Sequence, residues 1–552
     1  MIPQLKEYEM KLLSSLVKVF PDEEPKYQPE TLLLTALKHE TVSFQAAYKG
    51  TFFMREMLTL RVLSPLLEYI RVRSVELVPV GRACNAAVDD NYIKTTSGLY
   101  PDLLQDLHNN EVMVCTNQWR SLWVDIHITD QITAGTYPIE LQLCKNDTIV
   151  CSSTMEVTVY QATLPKQEIM HTEWFHADCL ADYYQVDVFS PKHWDLIENY
   201  LTEYVERGCN MILTPIFTPP LDTAFGGDRT TVQLIEVFVN NGIYRFGFDR
   251  LQKWVELCQR IGIEYFEMSH LFSQWGAKYA PKIMASVNGK EEKIFGWHTP
   301  AIGEYTLFLE QFLPQLIEKL KEWNIQEVTY FHLSDEPHES HLESFRAAKE
   351  SVAHLLKGFQ TFDALSSYEF YKHGLIDKPI PGNNEIHEFL EHGLTDMWVY
   401  YCTGQCVDVS NRFMAMPSAR NRIYGIQLYK YDIIGILHWG YNFYNSQFST
   451  QHINPYAVTD ASNAFPSGDP FLVYPGEDGH PVESIRMMVH CEALNDLRAL
   501  KLLESLTDKE YVLNLIEEDL AVPLTFMIYP KSDMYLISLR NKVNREIGKR
   551  MA

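Results

Sequence analysis

After residue 165 the sequence alternates short apolar segments with longer segments of helical periodicity, and this alternation constrains the fold more than any other feature. Parallel strands need crossover connections, which are usually helices, so the pattern predicts a parallel sheet. Eight such strands predict a (β/α)8 barrel over residues 166–510. The predicted strands are 173–177, 211–217, 263–269, 328–334, 360–366, 397–402, 435–439 and 471–474.

The region before the motif Leu164-Pro165-Lys166 has a different pattern. Short alternating strands separated by turn signals predict an antiparallel β-sandwich over residues 26–165 that acts as an accessory domain. Residues 1–25 are predicted to form an N-terminal helix, because Leu5, Tyr8, Leu12 and Leu16 lie close to helical spacing. Residues 511–552 are predicted to be a helical C-terminal extension. The predicted fold class is therefore multidomain, with a β-sandwich, a TIM barrel and a helical tail.

The charge of the chain argues against two classes of partner. It carries 47 Lys and Arg residues against 72 Asp and Glu residues, a net charge of −25. Such a surface repels nucleic acid phosphates and anionic lipid head groups, so neither nucleic acid nor a membrane is expected as a partner. The oligomeric state stays open, and a homo-oligomer is one option.

Cysteine and histidine usage bears on location and on metals. The ten cysteines are dispersed, and residues 1–20 contain five charged residues without an apolar core, so we expect a cytoplasmic protein with reduced thiols. The spacing of Cys402 and Cys406 matches no standard zinc pattern, and no His-Glu-x-x-His motif occurs. No metal and no cofactor are predicted.

One predicted strand, 328–334, ends at Asp335-Glu336-Pro337. Close carboxylates push each other's pKa values apart, which leaves one protonated and the other ionised, the division of labour in glycoside hydrolysis. An equally simple interpretation makes Asp335 the N-cap of a helix over 339–355, with Pro337 near its first turn. Both interpretations stay open at this point.

The other predicted strand ends are rich in aromatic and polar residues. In a barrel of this kind the chemistry lies at the C-terminal ends of the strands. Aromatic faces stack on sugar rings, while polar side chains distinguish hydroxyl configurations, so the assortment predicts a carbohydrate site. The candidate substrate-binding residues are Trp174, His176, Asp178, His270, Trp275, His332, Tyr368, Tyr401, Trp439, Tyr441 and Asn442.

The adjacency of the two acids suggests a mechanism. Retaining glycosidases usually place two carboxyl groups about 5 Å apart on facing walls, and inverting enzymes place them farther apart. Neighbouring residues fit a third scheme better, in which the 2-acetamido group of the substrate attacks the anomeric carbon. One carboxylate then supports the acetamide, and the other protonates the leaving oxygen.

Several motifs together resemble glycoside hydrolase family 123 and the related group called domain of unknown function 4091. The similarity rests on Asp335-Glu336, Gly435-Ile436-Leu437-His438-Trp439, Gly468-Asp469 leading to Val473-Tyr474-Pro475-Gly476, and Ser484-Ile485-Arg486. The resemblance implies a retaining, substrate-assisted exo-β-N-acetylhexosaminidase without cofactor, in particular a β-N-acetylgalactosaminidase, with Asp335 assisting the acetamide and Glu336 as acid/base. Gly468-Asp469-Pro470 and His490-Cys491-Glu492 differ from the family pattern and indicate a divergent branch.

Two alternatives accompany this hypothesis. A conventional glycosidase acting on a non-acetylated sugar would pair Glu336 with a distant carboxylate such as Asp178 or Glu477. A carbohydrate-binding protein would keep the barrel without turnover.

Overall fold

The computed structural model describes residues 7–26, 33–51 and 55–551. The chain forms two compact units. The first comprises Met1–Gln167, Cys406–Tyr431 and Val482–Ala552, and the second comprises Glu168–Gln405 and Asp432–Pro481. The domain boundaries predicted at residues 25, 165 and 510 are not equivalent to these units and stay a prediction.

The first unit contains two five-stranded sheets, ordered β1-β3-β8-β5-β6 and β2-β10-β9-β4-β7. Neighbours are antiparallel except β2 and β10. Buried side chains recur at every second position, as with Ile139, Leu141 and Leu143 of β9, and they meet in one core between the sheets. The strands are β1 (Tyr8–Ser14), β2 (Leu34–Lys38), β3 (Glu40–Gly50), β4 (Glu56–Leu63), β5 (Ile70–Val80), β6 (Gly98–Asp106), β7 (Glu111–Val114), β8 (Arg120–Ile128), β9 (Gly135–Lys145) and β10 (Thr148–Thr163).

The predicted N-terminal helix is wrong where it can be compared, because β1 occupies Tyr8–Ser14 and pairs along its whole length with β3. Tyr8, Leu12 and Leu16 are spaced by four, which is a multiple of the strand period of two as well as close to one helical turn. Pairing with β3 therefore decided between two patterns that the spacing allows. Leu5 lies outside the described residues.

The second unit is built around eight parallel strands that follow one another as β20-β19-β18-β15-β12-β11-β22-β21. The two outermost strands meet at an isolated parallel bridge between Gly382 and Tyr400, where the amide of Asn383 donates to the carbonyl of Tyr400 at 2.9 Å. We call this junction the barrel seam. The strands are β11 (Met170–Glu173), β12 (Met211–Thr214), β15 (Tyr265–Met268), β18 (Thr329–Phe331), β19 (Gln360–Ala364), β20 (Lys378–Ile380), β21 (Trp398–Tyr400) and β22 (Gly435–His438).

Seven of the eight predicted barrel strands overlap observed ones, and the eighth differs. The sequence missed β20, a three-residue strand with Pro379 at its centre, because proline argues against a strand assignment. The segment 471–474, predicted as the last strand, instead leads into β23 (Tyr474–Pro475), outside the barrel sheet; the short β24 is Pro481–Val482.

Helices and a small sheet complete the second unit. Helix α2 begins at Pro191, where the Ser190 side chain accepts a hydrogen bond from the His193 amide, and α3 ends before Gly262, which has a φ of 114°. A four-stranded sheet has the order β14-β13-β16-β17. These elements are α1 (Ala177–Tyr184), α2 (Pro191–Glu206), β13 (Glu236–Asn240), β14 (Ile243–Gly247), α3 (Asp249–Ile261), β16 (Ile283–Val287), β17 (Lys290–Phe295), α4 (Glu304–Glu322), α5 (Leu342–Val352), α6 (Tyr368–Lys372) and α7 (Ile386–Glu391).

The first unit also holds the C-terminal helices, as the predicted helical tail requires. Arg540 of the last helix binds the buried Asp496 of α10 at 2.9 Å. The helices are α8 (Ser418–Arg422), α9 (Tyr424–Lys430), α10 (Ile485–Leu506), α11 (Lys509–Glu517) and α12 (Asp533–Met551). In the part of the chain that the structure describes, no helix has the length and apolar character needed to cross a bilayer. The predicted fold class, a β-sandwich followed by a barrel with a helical tail, is confirmed.

Candidate active site

A cavity of about 390 Å³ opens among the segments that follow the barrel strands, at their C-terminal ends. Its volume falls in the range of small-molecule sites. We call it the active-site cavity. Its lining residues are Trp174, His176, Leu221, Asp222, Gln274, Trp275, Asp335, Glu336, His338, Ala364, Tyr400, Cys402, Thr403, Leu437, Trp439, Phe443, Gln447, Phe448 and Phe465.

The backbone after β18 brings both predicted acids into this cavity. Strand pairing ends at Phe331, and Glu336 has a φ of 42°, in the left-handed region that non-glycine residues rarely adopt. The amide of Glu336 donates to the carbonyl of Ala364 at 3.1 Å, and the amide of Trp275 donates to the carbonyl of Asp335 at 2.9 Å. The alternation of a regular strand is therefore broken, and two adjacent carboxyl groups line the same cavity.

The helix-cap interpretation of Asp335 is wrong. A 3₁₀ turn at Glu339–His341 precedes α5, and the first cap residue is His338. The Asp335 carboxylate instead accepts a 2.7 Å hydrogen bond from the side-chain amide of Gln274. Burial and the neighbouring Glu336 raise the pKa of Asp335 well above its usual value, while Gln274 and His332 oppose the increase.

The carboxyl group of Glu336 has a different environment. It accepts a hydrogen bond of 2.9 Å from the hydroxyl of Tyr400, which lies at the barrel seam. Burial raises the pKa of Glu336, whereas the Tyr400 hydroxyl and the His338 ring lower it. Because both pKa values are raised, the pair Asp335–Glu336 takes up a proton at a higher pH than isolated carboxyl groups do.

A buried imidazolium lies behind the acid pair. His332 is fully buried, with Nε2 2.8 Å from Glu267 and Nδ1 3.0 Å from Asp363. Burial alone would lower the pKa of His332, but the two carboxylates raise it to about 9. His332 is thus a cation at neutral pH, and its charge favours the ionised form of Asp335.

Aromatic side chains provide much of the remaining cavity wall. The indole of Trp439 donates to Asp469 at 3.0 Å, and that of Trp174 donates to Glu267. The Trp275 ring lies edge-on to Phe448, with 6.1 Å between the centroids. Buried carboxylates therefore fix the orientation of two indoles, and the wall suits the apolar face of a sugar ring.

Five of the predicted residues other than Asp335 and Glu336 line a cavity or groove beside the acid pair. Trp174, His176, Trp275 and Trp439 line the active-site cavity. Tyr368 lines a second groove on the other side of Glu336. From these positions all five side chains can reach a bound substrate, and their contact with it stays a prediction.

The remaining six predicted substrate-binding residues are buried and do not line the cavity. Asp178 binds the guanidinium of Arg229 through two hydrogen bonds of 2.8 and 2.9 Å. The Asn442 amide bridges the backbone of His176, and the His270 ring stacks on His332 at 4.2 Å. We therefore assign support of the cavity wall, rather than contact with substrate, to this set: Asp178, His270, His332, Tyr401, Tyr441 and Asn442.

Sequence reasoning missed several residues that the structure brings to the acids. Tyr400, the last residue of β21, is one of them, although the sequence predicted its neighbour Tyr401 instead. The Tyr400 hydroxyl contacts Glu336. Gln274 precedes the predicted Trp275 and carried no signal of its own. The acidic residues Glu267 and Asp363 lie inside strands, where a buried charge is rare, and that was an available signal.

One group of donors in the second unit is close enough to hold a metal ion. Ligand atoms of His270, His332 and Asp363 lie within 4.8 Å of one another. Both nitrogens of His332 already contact carboxylates, and its raised pKa keeps the ring protonated. A protonated imidazole has no lone pair to offer, so this group does not fit a metal.

Comparisons with known proteins bear on the family and the fold of the chain. Residues 174–503 match the family model described as glycoside hydrolase 123, catalytic domain. The fold is similar to that of a family 123 glycoside hydrolase from Clostridium perfringens, studied for the details of glycolipid glycan hydrolysis, with a TM-score of 0.72, 17% identity, and coverage of 98% of this chain and 97% of that one. No curated protein matches significantly.

Other solved structures align more loosely. A glycosyl hydrolase family 2 member from Bacteroides cellulosilyticus has a TM-score of 0.26 at 9% identity, covering 78% of this chain and 46% of that one. A putative glycoside hydrolase from Bacteroides vulgatus has a TM-score of 0.31 at 8% identity, covering 81% and 77%. The family model spans more than half of the sequence, so the chain belongs to glycoside hydrolase family 123.

Proposed function

We propose that the chain is a retaining exo-β-N-acetylhexosaminidase that uses the 2-acetamido group of its substrate as the nucleophile. The observation that carries the proposal is the placement of Asp335 and Glu336, adjacent in sequence, in the wall of one cavity. Two neighbouring carboxyl groups can serve two atoms on the same side of a sugar, the acetamide nitrogen and the glycosidic oxygen. The usual retaining arrangement needs carboxyl groups on facing walls instead.

In the first step the acetamide oxygen attacks the anomeric carbon and the glycosidic bond breaks. Glu336 gives its proton to the departing oxygen. The carboxylate of Asp335 accepts a hydrogen bond from the acetamide N–H and stabilises the positive charge of the oxazolinium. In the second step Glu336 removes a proton from water, which attacks the anomeric carbon and reopens the ring. Two inversions leave the configuration at the anomeric carbon unchanged.

The surrounding charges support this division. Gln274 donates to Asp335, and the His332 cation lowers the pKa of Asp335, so both favour its carboxylate form. The acetamide N–H of a bound substrate would add a third favourable interaction. Burial keeps the pKa of Glu336 raised, as a general acid needs. In the proposed complex Asp335 is therefore ionised, and Glu336 carries the proton.

A conventional two-carboxylate glycosidase is the second candidate. Its predicted partners do not favour it, because Asp178 is paired with Arg229 and Glu477 is exposed away from the cavity. Asp222, however, lines the active-site cavity, and burial raises its pKa to about 6. It is the carboxyl group that such a mechanism would pair with Glu336. In a carbohydrate-binding protein without turnover, the raised pKa values of Asp335 and Glu336 would have no role in proton transfer.

Substrate fluorination tests the nucleophile. Aryl β-N-acetylgalactosaminides with mono-, di- and trifluoroacetyl groups have progressively weaker acetamide nucleophiles. The proposal predicts a steep decrease of kcat across the series, and inhibition by a thiazoline analogue of the oxazoline. Equal rates across the series, or cleavage only of a non-acetylated aryl galactoside, would exclude substrate assistance and favour Asp222 as the nucleophile. Binding without hydrolysis of any of these compounds would indicate the non-catalytic alternative.

The preference for galactosamine over glucosamine rests on the family resemblance, and aryl glycosides of the two sugars test it directly. The Clostridium perfringens enzyme was studied on glycolipid glycans, and we include a terminal β-linked residue of such a glycan among the proposed substrates.

No cofactor takes part in the proposed steps. The location that we propose is the cytoplasm, in accord with ten cysteines that are all free thiols.

A further inference from the structure

A second groove borders the active-site cavity. Its volume is about 690 Å³, and three residues belong to both: Glu336, His338 and Tyr400. We call it the outer groove. It lies where the segments after β18, β19 and β20 meet. The residues that belong to the outer groove alone are Pro337, Glu339, Ser340, Leu365, Ser366, Ser367, Tyr368, Glu369, Glu385 and Glu388.

The position of Glu336 between the two cavities indicates which part of a substrate the outer groove can hold. A general acid protonates the oxygen that joins the sugar to its leaving group, so it stands at the border between the two parts of a substrate. If the active-site cavity holds the sugar whose bond is broken, the space on the other side of Glu336 receives the leaving group. The size of the outer groove is that of a small-molecule site.

The charged side chains that line the outer groove are mainly carboxylates. Besides Glu336, four carboxylates line it: Glu339, Glu369, Glu385 and Glu388. Glu369 is paired with Lys372 at 2.7 Å. Glu385 and Glu388 are both exposed. The side-chain amide of Asn384 donates to Glu385 at 2.8 Å, and Lys372 also interacts electrostatically with Glu388. No lysine or arginine is among the lining residues, so the field of the groove is negative.

Resting on the proposed function, we propose that the outer groove is the binding site of the leaving group and selects it by charge. A cationic leaving group is favoured over a neutral one, and an anionic one is disfavoured. Ser340, Ser366 and Ser367 place hydroxyl oxygens in the groove that can accept hydrogen bonds from a neutral polar group such as a second sugar. The Ser367 hydroxyl itself donates to Glu339 at 3.2 Å, and that of Ser366 accepts from the amide of Gly382 at 3.3 Å. Tyr368 stacks on His392 at 4.2 Å, which fixes the ring at the edge of the groove.

Three matched substrates test this selection. They are aryl β-N-acetylgalactosaminides whose distal end carries a trimethylammonium, a tert-butyl or a sulfonate group; the first two have the same shape. At low ionic strength we expect kcat/KM to be about tenfold higher for the ammonium than for the sulfonate substrate, with tert-butyl between them. The ratio should decrease toward one at roughly 0.5 M salt, because the Debye length is then only a few ångströms.

Variants assign the effect to the groove. Glu385→Gln combined with Glu388→Gln should reduce the ammonium to sulfonate ratio to about twofold. Glu391→Gln is an exposed change outside the groove, at the end of helix α7, which contains Glu388 and follows Glu385. It should keep the wild-type ratio. A wild-type ratio near one, or a ratio unchanged in the double variant, would overturn the inference.

The outcome can be separated from that of the proposed function. If only a non-acetylated glycoside is cleaved, substrate assistance fails, and the same three leaving groups on that sugar still measure the selection. If no glycoside is cleaved, the dissociation constants of the three compounds, measured by calorimetry, give the same ratio. The ratio therefore supports or overturns the inference in each case.

Discussion

The hydroxyl of Tyr400 donates a 2.9 Å hydrogen bond to Oε1 of Glu336, and it thereby stabilises the ionised form of the carboxyl group that we propose as the general acid. Tyr400→Phe removes this donor and should raise the pKa of Glu336. The alkaline limit of kcat/KM, where the acid loses its proton, should therefore move up by about one pH unit. A pH–rate profile of an aryl glycoside measures the shift. Tyr401→Phe is the matched control; an equal shift in both variants would contradict the assignment.

Glu336→Gln should lower kcat on glycosides with poor leaving groups by a factor of about 10² or more, because no proton reaches the departing oxygen. For a leaving group that departs without protonation, such as dinitrophenolate, the decrease in the rate of the first step should be much smaller. Steady-state rates over a series of leaving groups measure the dependence. A uniform loss across the series would mean that Glu336 is not the acid.

Asp335→Asn should lower kcat about as strongly on acetamido substrates, because the charge that supports the oxazolinium is lost. Unlike the change at Glu336, its effect should not depend on the leaving group. The thiazoline inhibitor should also bind more weakly, which inhibition constants report. Unchanged inhibitor affinity in Asp335→Asn would show that Asp335 does not contact the acetamide.

The imidazolium of His332 predicts a pH dependence of stability. Because Glu267 and Asp363 raise the pKa of His332 from the ordinary value of 6.5 to about 9, its contribution is complete below about pH 6.5 and disappears as the pH rises through about 9. The difference in unfolding free energy between wild type and His332→Gln should decrease by roughly 3 kcal/mol over that interval. Chemical denaturation at several pH values measures it. A difference that is constant with pH would mean that His332 is neutral in the folded protein.

Asp178 and Arg229 form a buried ion pair behind the cavity. Asp178→Asn should destabilise the fold by about 3–5 kcal/mol, because it leaves the buried guanidinium without its counter-charge. The double change Asp178→Leu and Arg229→Met should cost less than the single one, which thermal denaturation can show. If Asp178→Asn left stability intact and raised KM, Asp178 would contact substrate, as the sequence predicted.

Much of the barrel could be predicted from the sequence because its strands are short apolar runs that end at polar residues. The acid pair was recognisable for the same reason, since two charges after a buried strand are unusual. The failures have physical causes. Spacing by four residues did not separate strand from helix at Tyr8, and Pro379 concealed a strand. Gln274 and Tyr400 reach the acids only through the folded geometry of loops and strand faces.

The barrel seam has a consequence for motion. Between β20 and β21 the sheet is held by an isolated bridge instead of a ladder, and Tyr400 belongs to that bridge. Regions with few backbone hydrogen bonds open locally before the rest of a fold does. The amides of Asn383 and Tyr400, which donate across the seam, should then exchange with solvent earlier than those of the continuous ladders. An opening that displaced the Tyr400 hydroxyl would remove a donor from Glu336 and raise the pKa of that carboxyl group.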